Sequence, residues 1–483
     1  MGFKKLRIAG FSGLDTQKGD FHDDMATSPE AVNFVCRDGI LATAAGTSEY
    51  APRLPIEGAR LFQAFFREEE TQEDSRILMV SGGGGLYALK EGAWAQIGSG
   101  YASDEWRAVN YRSGDSERIL LVNGKDGMLS WDGKAAQAEQ TTLTQGGAVI
   151  AFEHLTLLYE RLWGAVYAGA PDRVYWSESF SPEDWEVNYD VPDAGGGFVD
   201  VATFDGSRIR AIVAAFDDVL IFKDKSMHRL NGTYPGEFSL TQVYGAEGTL
   251  AARTIAYTSD RLYFLGSDGL CVYNGMSVST LAHAGDRKLN GLWKRLNRKA
   301  IGGACAAIYG ETMYLALPLD GAEENSHVLE YRLDDGGCSL VALAGVKDWL
   351  VIREGTGEKL VCLIGEGVYE YGTGGTLAGQ PVEAVWLSPV ATLGTLGAKR
   401  TVGRLSFIAE ARAADGGRGI RLTLMSGGKE RMKEIRLEEG VNLVRQRLRI
   451  RGRTFRFKIE NMEGCELTLP DGLEILLEED GDL

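Results

Sequence analysis

Histidine and proline are scarce in this chain, with 5 and 11 copies in 483 residues. Few histidines means few general bases and metal ligands. The five, at positions 22, 154, 228, 283 and 327, never fall within ten residues of one another. The six cysteines, at 36, 271, 305, 338, 362 and 465, form no C-x-x-C pair and no zinc-like spacing with a histidine. They read as buried free thiols in a reducing compartment. No stretch approaches the 18 apolar residues of a membrane helix, and Met1 to Leu14 lacks the apolar core of a signal peptide. The expectation is a soluble protein made in the cytoplasm, with no membrane contact.

Catalytic signatures are missing as well. There is no G-x-S-x-G and hence no nucleophile elbow. The glycine runs at 82–85 and 195–197 are not followed by Lys-Ser or Lys-Thr, so they read as turns and not as phosphate loops. His22-Asp23-Asp24 comes nearest to a metal cluster and reads as a solvated turn. The chain is therefore expected to be no enzyme, with no catalytic, cofactor-binding or metal residues.

What is abundant is glycine, with 63 copies against few prolines, which points to many tight turns and not to a disordered linker. Acid exceeds base by 68 to 51, a net charge of −17 that argues against a freely diffusing nucleic-acid binder. A degenerate repeat runs through residues 51–375: a strand, a Gly- or Asp-containing turn, and a second strand ending in a large side chain. These anchors are Tyr87, Trp131, Tyr175, Leu230, Tyr273, Tyr331 and Tyr371. Most steps lie near 40–45 residues, the rhythm of four-stranded propeller blades. Residues 51–375 are expected to form a six- or seven-bladed β-propeller. A β-sandwich array or a solenoid remains the other reading of the rhythm. The segment Asp286 to Lys299 places Leu289, Leu292, Trp293 and Leu296 at i, i+3, i+4, i+7 and predicts a helix of about three turns. Ser177 to Trp185 lacks the Asp-then-Gly order of a sialidase turn and reads as a blade turn capped by a buried Trp.

Residues 1–50 read as an extended arm ending in a hairpin at Arg37-Asp38-Gly39, able to close the propeller or clasp a neighbour. Residues 376–483 carry longer alternating strands and predict a small C-terminal β-sandwich or barrel. The fold class is thus all-β. Within this last region Arg445, Arg447, Arg449, Arg451 and Arg453 alternate at period two, so on a strand they share one face over about 27 Å. Between Gly397 and Lys458 there are 17 Lys and Arg against 6 Asp and Glu, whereas residues 1–375 carry −18. Three readings of the arginine strand stand open. It is a solvated face paired with Glu430, Glu434, Glu438 and Glu439, a subunit-docking surface, or a contact for confined DNA.

The chain also resembles the β-propeller virion proteins of tailed bacteriophages. The resemblance rests on Ser28 to Leu41, on Arg161-Leu162-Trp163-Gly164-Ala165 with Arg173-Val174-Tyr175-Trp176-Ser177-Glu178 and Asp184-Trp185, and on Ile308 to Pro318 with Asn325 to Tyr331. The closing strand Arg453 to Ile459 fits the C-terminal domain of such proteins. It implies a neck or tail component of the virion: a nozzle or hub ring or a stopper around the DNA exit path. Such rings are commonly hexameric homo-oligomers. The implied partners are other copies of the chain, a portal or adaptor, other tail proteins and the packaged DNA in the lumen. A glycan-binding or glycan-cleaving propeller is the alternative, with the nine tryptophans available to stack on sugars. A cellular protein-interaction propeller is a third.

Overall fold

The computed structural model describes residues 2–479 apart from 18–20, 22–23, 68–73, 114–115, 167, 192, 204, 246, 282–286, 395–397 and 413–418. His22 and Asp23 of the metal-like triplet lie outside the described residues. The architecture is almost wholly β. Among the described residues the only α-helix is Asn290–Arg295.

Six four-stranded antiparallel sheets stand alone. They begin at Arg60, Arg107, His154, Ile209, Ala256 and Val346. A seventh unit of the same kind, Cys305–Tyr309, Thr312–Leu317, His327–Arg332 and Cys338–Val341, forms one end of a nine-stranded sheet. The seven hydrophobic clusters of the molecule show how these units are arranged, because each spans one pair of neighbours. Phe62 and Met79 pack with Trp106 and Leu121, and Leu120 and Met128 with Leu162 and Tyr175. Next come Trp163 and Val174 with Val219 and Ile221, and Leu220 and Phe222 with Phe264 and Tyr273. Leu265 and Leu270 meet Met313 and Leu315, and Val328 meets Leu360 and Cys362. Leu363 and Val368 then return to Leu61 and Val80 of the first unit. Seven junctions close one circle, so the units are seven blades of a propeller, numbered 1 to 7 in chain order.

The anchor residues read from the sequence sit on the third strand of every blade, and all seven are buried. The second strands are covered on both faces by adjacent blades, which explains their unbroken apolar runs. Asp218–Lys223 is buried at all six positions. The first strand of each blade is innermost, and its free edge faces the axis. Side chains from the neighbouring blade cap that edge. Asn110 Oδ1 accepts from Phe65 N at 3.0 Å, Thr156 Oγ1 from Ala214 N at 3.1 Å and Asp348 Oδ2 from Leu61 N at 3.0 Å. These bonds satisfy amides that would otherwise be orphaned.

Blade 7 takes its outermost strand from Thr47–Glu49, at the other end of the propeller sequence. The rest of the N-terminal segment does not extend away as an arm. Gly2–Ile8 pairs with Leu473–Glu479, and the hairpin Phe34–Arg37 and Ile40–Thr43 adds to Glu466–Leu469. Glu30–Val32 lies parallel to the last strand of blade 6 and antiparallel to Val385–Leu387, so it splices the propeller to the C-terminal strands. The resulting nine-stranded sheet and a seven-stranded sheet share a core of Phe407, Leu405, Leu422, Phe457, Ile459 and Trp386.

The helix is shorter than its apolar pattern predicts. Six residues are helical, and Leu296 leaves in extended conformation. No side chain of its own caps the first turn; Thr16 Oγ1, from the N-terminal segment, accepts from Leu292 N at 3.1 Å. Leu289, Leu292, Trp293 and Leu296 are nevertheless all buried, so the periodicity reports burial and not helix length.

Candidate interaction surface

The arginine-rich sequence folds as the strand Gly440–Gly452 because Val444, Leu448 and Ile450 alternate toward the sandwich core. The opposite face carries Val441, Leu443, Arg445, Arg447, Arg449 and Arg451, all exposed, with Arg453 exposed just beyond the strand. The structure therefore brings the five predicted arginines to one side. Along its length this strand pairs only with Arg400–Arg412; among the described residues no strand covers its other edge. It follows Lys429–Arg436, itself the edge of the nine-stranded sheet and exposed at seven of eight positions. Two uncovered, strongly charged edge strands thus lie beside each other in sequence at one end of the sandwich.

Of the acidic partners expected from the sequence, Glu434 is engaged by an arginine outside the strand. Glu434 binds Arg421 at 2.8 Å. Arg449 instead reaches across the intervening strand to Glu478 at 2.9 Å. The crossing passes over Gly403, where the register shifts and where a Cβ would stand 3.1 Å from Glu478 Oε1. Residues 459–483 hold nine acidic residues and no Lys or Arg, so the basic stretch is offset by the strands that follow it. The offset is incomplete. Arg447 lies directly opposite Arg404, whose Nε is buried without a hydrogen-bond partner. Arg445, Arg447 and Arg453 have no acidic partner among the described residues. At the start of the strand Val441 is 76% and Leu443 61% exposed, with Met432 of the neighbouring edge strand 53% exposed. An apolar end followed by a cationic strip suits an acidic partner surface with an apolar margin.

Sequence reasoning missed an open pocket. A cavity of about 420 Å³ between blades 6 and 7 and the N-terminal hairpin is lined by Arg37, Ile40, Tyr314, Glu330 and Tyr371, among others. Tyr371 Oη donates to Glu330 Oε1 at 2.8 Å. Burial pushes the Glu330 carboxyl above its ordinary range and pushes Tyr314 up to about 12. Asp38 is the second carboxylate of the lining, and neither histidine nor cysteine joins it and Glu330 there. Among the described residues no group of three metal-ligating side chains occurs. The tryptophans are committed to the interior. Eight of the nine are buried, and Trp94 is half-buried with its Nε1 donating to Pro52 O at 2.7 Å. Trp185, buried, caps its blade turn by donating to Pro182 O at 2.9 Å.

Of the described histidines, His154 and His228 are buried and His327 is half-buried. Burial lowers His154 well below its ordinary value, and the charges of Arg107, Arg60, Arg208 and Arg210 lower it further. His228 and His327 are lowered by burial too. A histidine held neutral in the folded state takes up its proton first in the unfolded state. Stability is therefore complete above the unfolded value near pH 6.5 and is lost as pH falls below it. His154 alone should remove about 1.4 kcal/mol per pH unit in that range. Urea midpoints at pH 7.5 and 5.5 measure this, and His154→Gln should flatten the slope. An unchanged slope would mean that His154 titrates freely in the native state.

The chain matches no known protein family and no curated protein. Among solved structures it is similar to the extracellular domain of a hybrid two-component system from B. thetaiotaomicron. The identity is 8%, the TM-score 0.44, and the alignment covers 87% of this chain. This chain spans 58% of that protein's length.

Proposed function

We propose that this protein is a structural subunit that assembles through its arginine-bearing edge strand, as a hexameric ring component of a phage neck or tail. In that reading the rigid propeller forms the wall of a nozzle, hub or stopper. The sandwich docks on a neighbouring subunit, portal or adaptor, and the ring encloses the DNA exit path of the virion. The observation that carries it is the uncovered strand Gly440–Gly452, whose outward arginines are only partly matched within the chain. Edge strands of soluble proteins are normally covered or blunted, and one this long and charged is suited to a partner of opposite charge. The segments that resemble phage propeller proteins support the choice of particle.

The test is the triple variant Arg447→Glu, Arg449→Glu, Arg451→Glu. Light scattering and negative-stain imaging should show the wild type in rings or bound to its adaptor. The variant should dock at least tenfold more weakly, with an unchanged β circular-dichroism spectrum. A wild type that stays monomeric with every neck and tail protein, or a variant that assembles normally, would discard the proposal. Unfolding of the triple variant would assign the strand an internal role instead.

A further inference from the structure

In a propeller all innermost strands run the same way along the axis, so their first residues gather at one mouth of the central channel. Here those positions are unusually basic. Blade 1 begins with Arg60, blade 2 with Arg107 and blade 3 with His154, and Arg208 immediately precedes blade 4. Arg253, from the turn before blade 5, reaches across to donate to Lys347 O of blade 7 at 2.9 Å and to Gly303 O ahead of blade 6 at 3.2 Å.

The carboxylates at this mouth are already engaged. Asp348 holds Arg60 Nε at 2.9 Å while accepting from Leu61 N. Glu105 lies 3.8 Å from Arg60. Lys347 has Glu324 at 2.8 Å and Glu57 at 3.6 Å, and Arg210 has Asp224. Arg107 is different. Its guanidinium donates only to the carbonyl of Trp106, at 3.1 Å; Glu105 and Asp348 act on it through space, but among the described residues neither forms an ion pair with it. Arg208 forms no ion pair among them either, although its side chain is exposed. His154 is 8% exposed and its ring makes no hydrogen bond. Burial above all pulls Arg107 down to about 9, with the charges of Arg60 and Arg253 adding to it and those of Glu105 and Asp348 opposing it. Donors left open among like charges make a site for an oxyanion, which supplies several acceptors at once.

We infer that this mouth of the propeller channel binds a small polyvalent oxyanion of the phosphate class, with Arg107 as principal donor and His154 and Arg208 beside it. The site lies on the propeller alone and stands whether or not the chain assembles through its edge strand.

Inorganic phosphate is the probe, titrated into the full chain at constant ionic strength by calorimetry and by thermal melting. The wild type should bind at one site and melt at higher temperature with phosphate than with chloride. Arg107→Gln should weaken binding at least tenfold. Arg208→Gln, at an exposed position, should weaken it severalfold and serves if Arg107→Gln misfolds. The double variant Arg445→Gln, Arg447→Gln should bind as the wild type does. The inference is overturned by absence of binding to the wild type. It is equally overturned by unchanged binding in both channel variants, or by loss of binding in the edge-strand variant.

Discussion

A chain that starts at residue 51 is expected to lose cooperative folding altogether. The first fifty residues supply the closing strand of blade 7, two strands and a hairpin's worth of pairing to the C-terminal sheets, and the splice between the two parts. Their removal strips Ile8, Phe11, Leu14, Met25, Phe34 and Leu41 from the core, each at most 7% exposed. Each such side chain contributes roughly 1.5–3 kcal/mol by burial. The sum is comparable to the whole 5–15 kcal/mol that separates folded from unfolded states in typical domains. The cavity left behind is lined by their partners, which adds a further cost. The expected result is an insoluble product, or a soluble one without a near-ultraviolet circular-dichroism signal or a sharp melting transition. A truncated chain melting within a few degrees of the full one would show that the propeller closes without its N-terminal strand.

The propeller was legible because its physics repeats. Every third strand must bury a large anchor between two blades, so Tyr87, Trp131, Tyr175 and their successors recur wherever a blade recurs. Ring closure was not legible. Thr47-Ser48-Glu49 carries no strand signal of its own, and its place is set by pairing with Tyr369, Glu370 and Tyr371 over 300 residues away. The same holds for Glu30–Val32, whose position between two sheets depends on Leu340 and Val385. The arginine face was legible from period-two alternation, but its counter-charge was not. Glu478 meets Arg449 only because Gly403 leaves room on the strand between them. The basic channel mouth escaped notice because Arg60, Arg107 and Arg208 are far apart in sequence and meet only once seven strand starts are drawn around an axis.

Trp386 offers a test of whether propeller and sandwich behave as one body. It is wholly buried in the short strand Val385–Leu387, edge-on to Phe11 with ring centroids 5.2 Å apart, and belongs to the cluster that includes Leu315 of blade 6 and Phe457 of the sandwich. Trp386→Ala should cost about 3–5 kcal/mol, since the surrounding sheets cannot collapse into the space. The indole Nε1 has no hydrogen-bond partner. Trp386→Phe therefore removes volume without orphaning an acceptor and should cost clearly less. Trp185→Phe is the contrast, because it leaves the Pro182 carbonyl without its donor at a buried site, at an added cost of about 1–3 kcal/mol. Denaturant midpoints followed by tryptophan fluorescence and by near-ultraviolet circular dichroism give the ranking. The continuous nine-stranded sheet makes a further demand on the same experiment. Both probes should shift together in Trp386→Ala, as a single transition, because the strand on which it sits is hydrogen-bonded to Glu30–Val32 and through it to blade 6. Two separated transitions, only one of them moved by the substitution, would mean that the splice does not couple the two halves energetically.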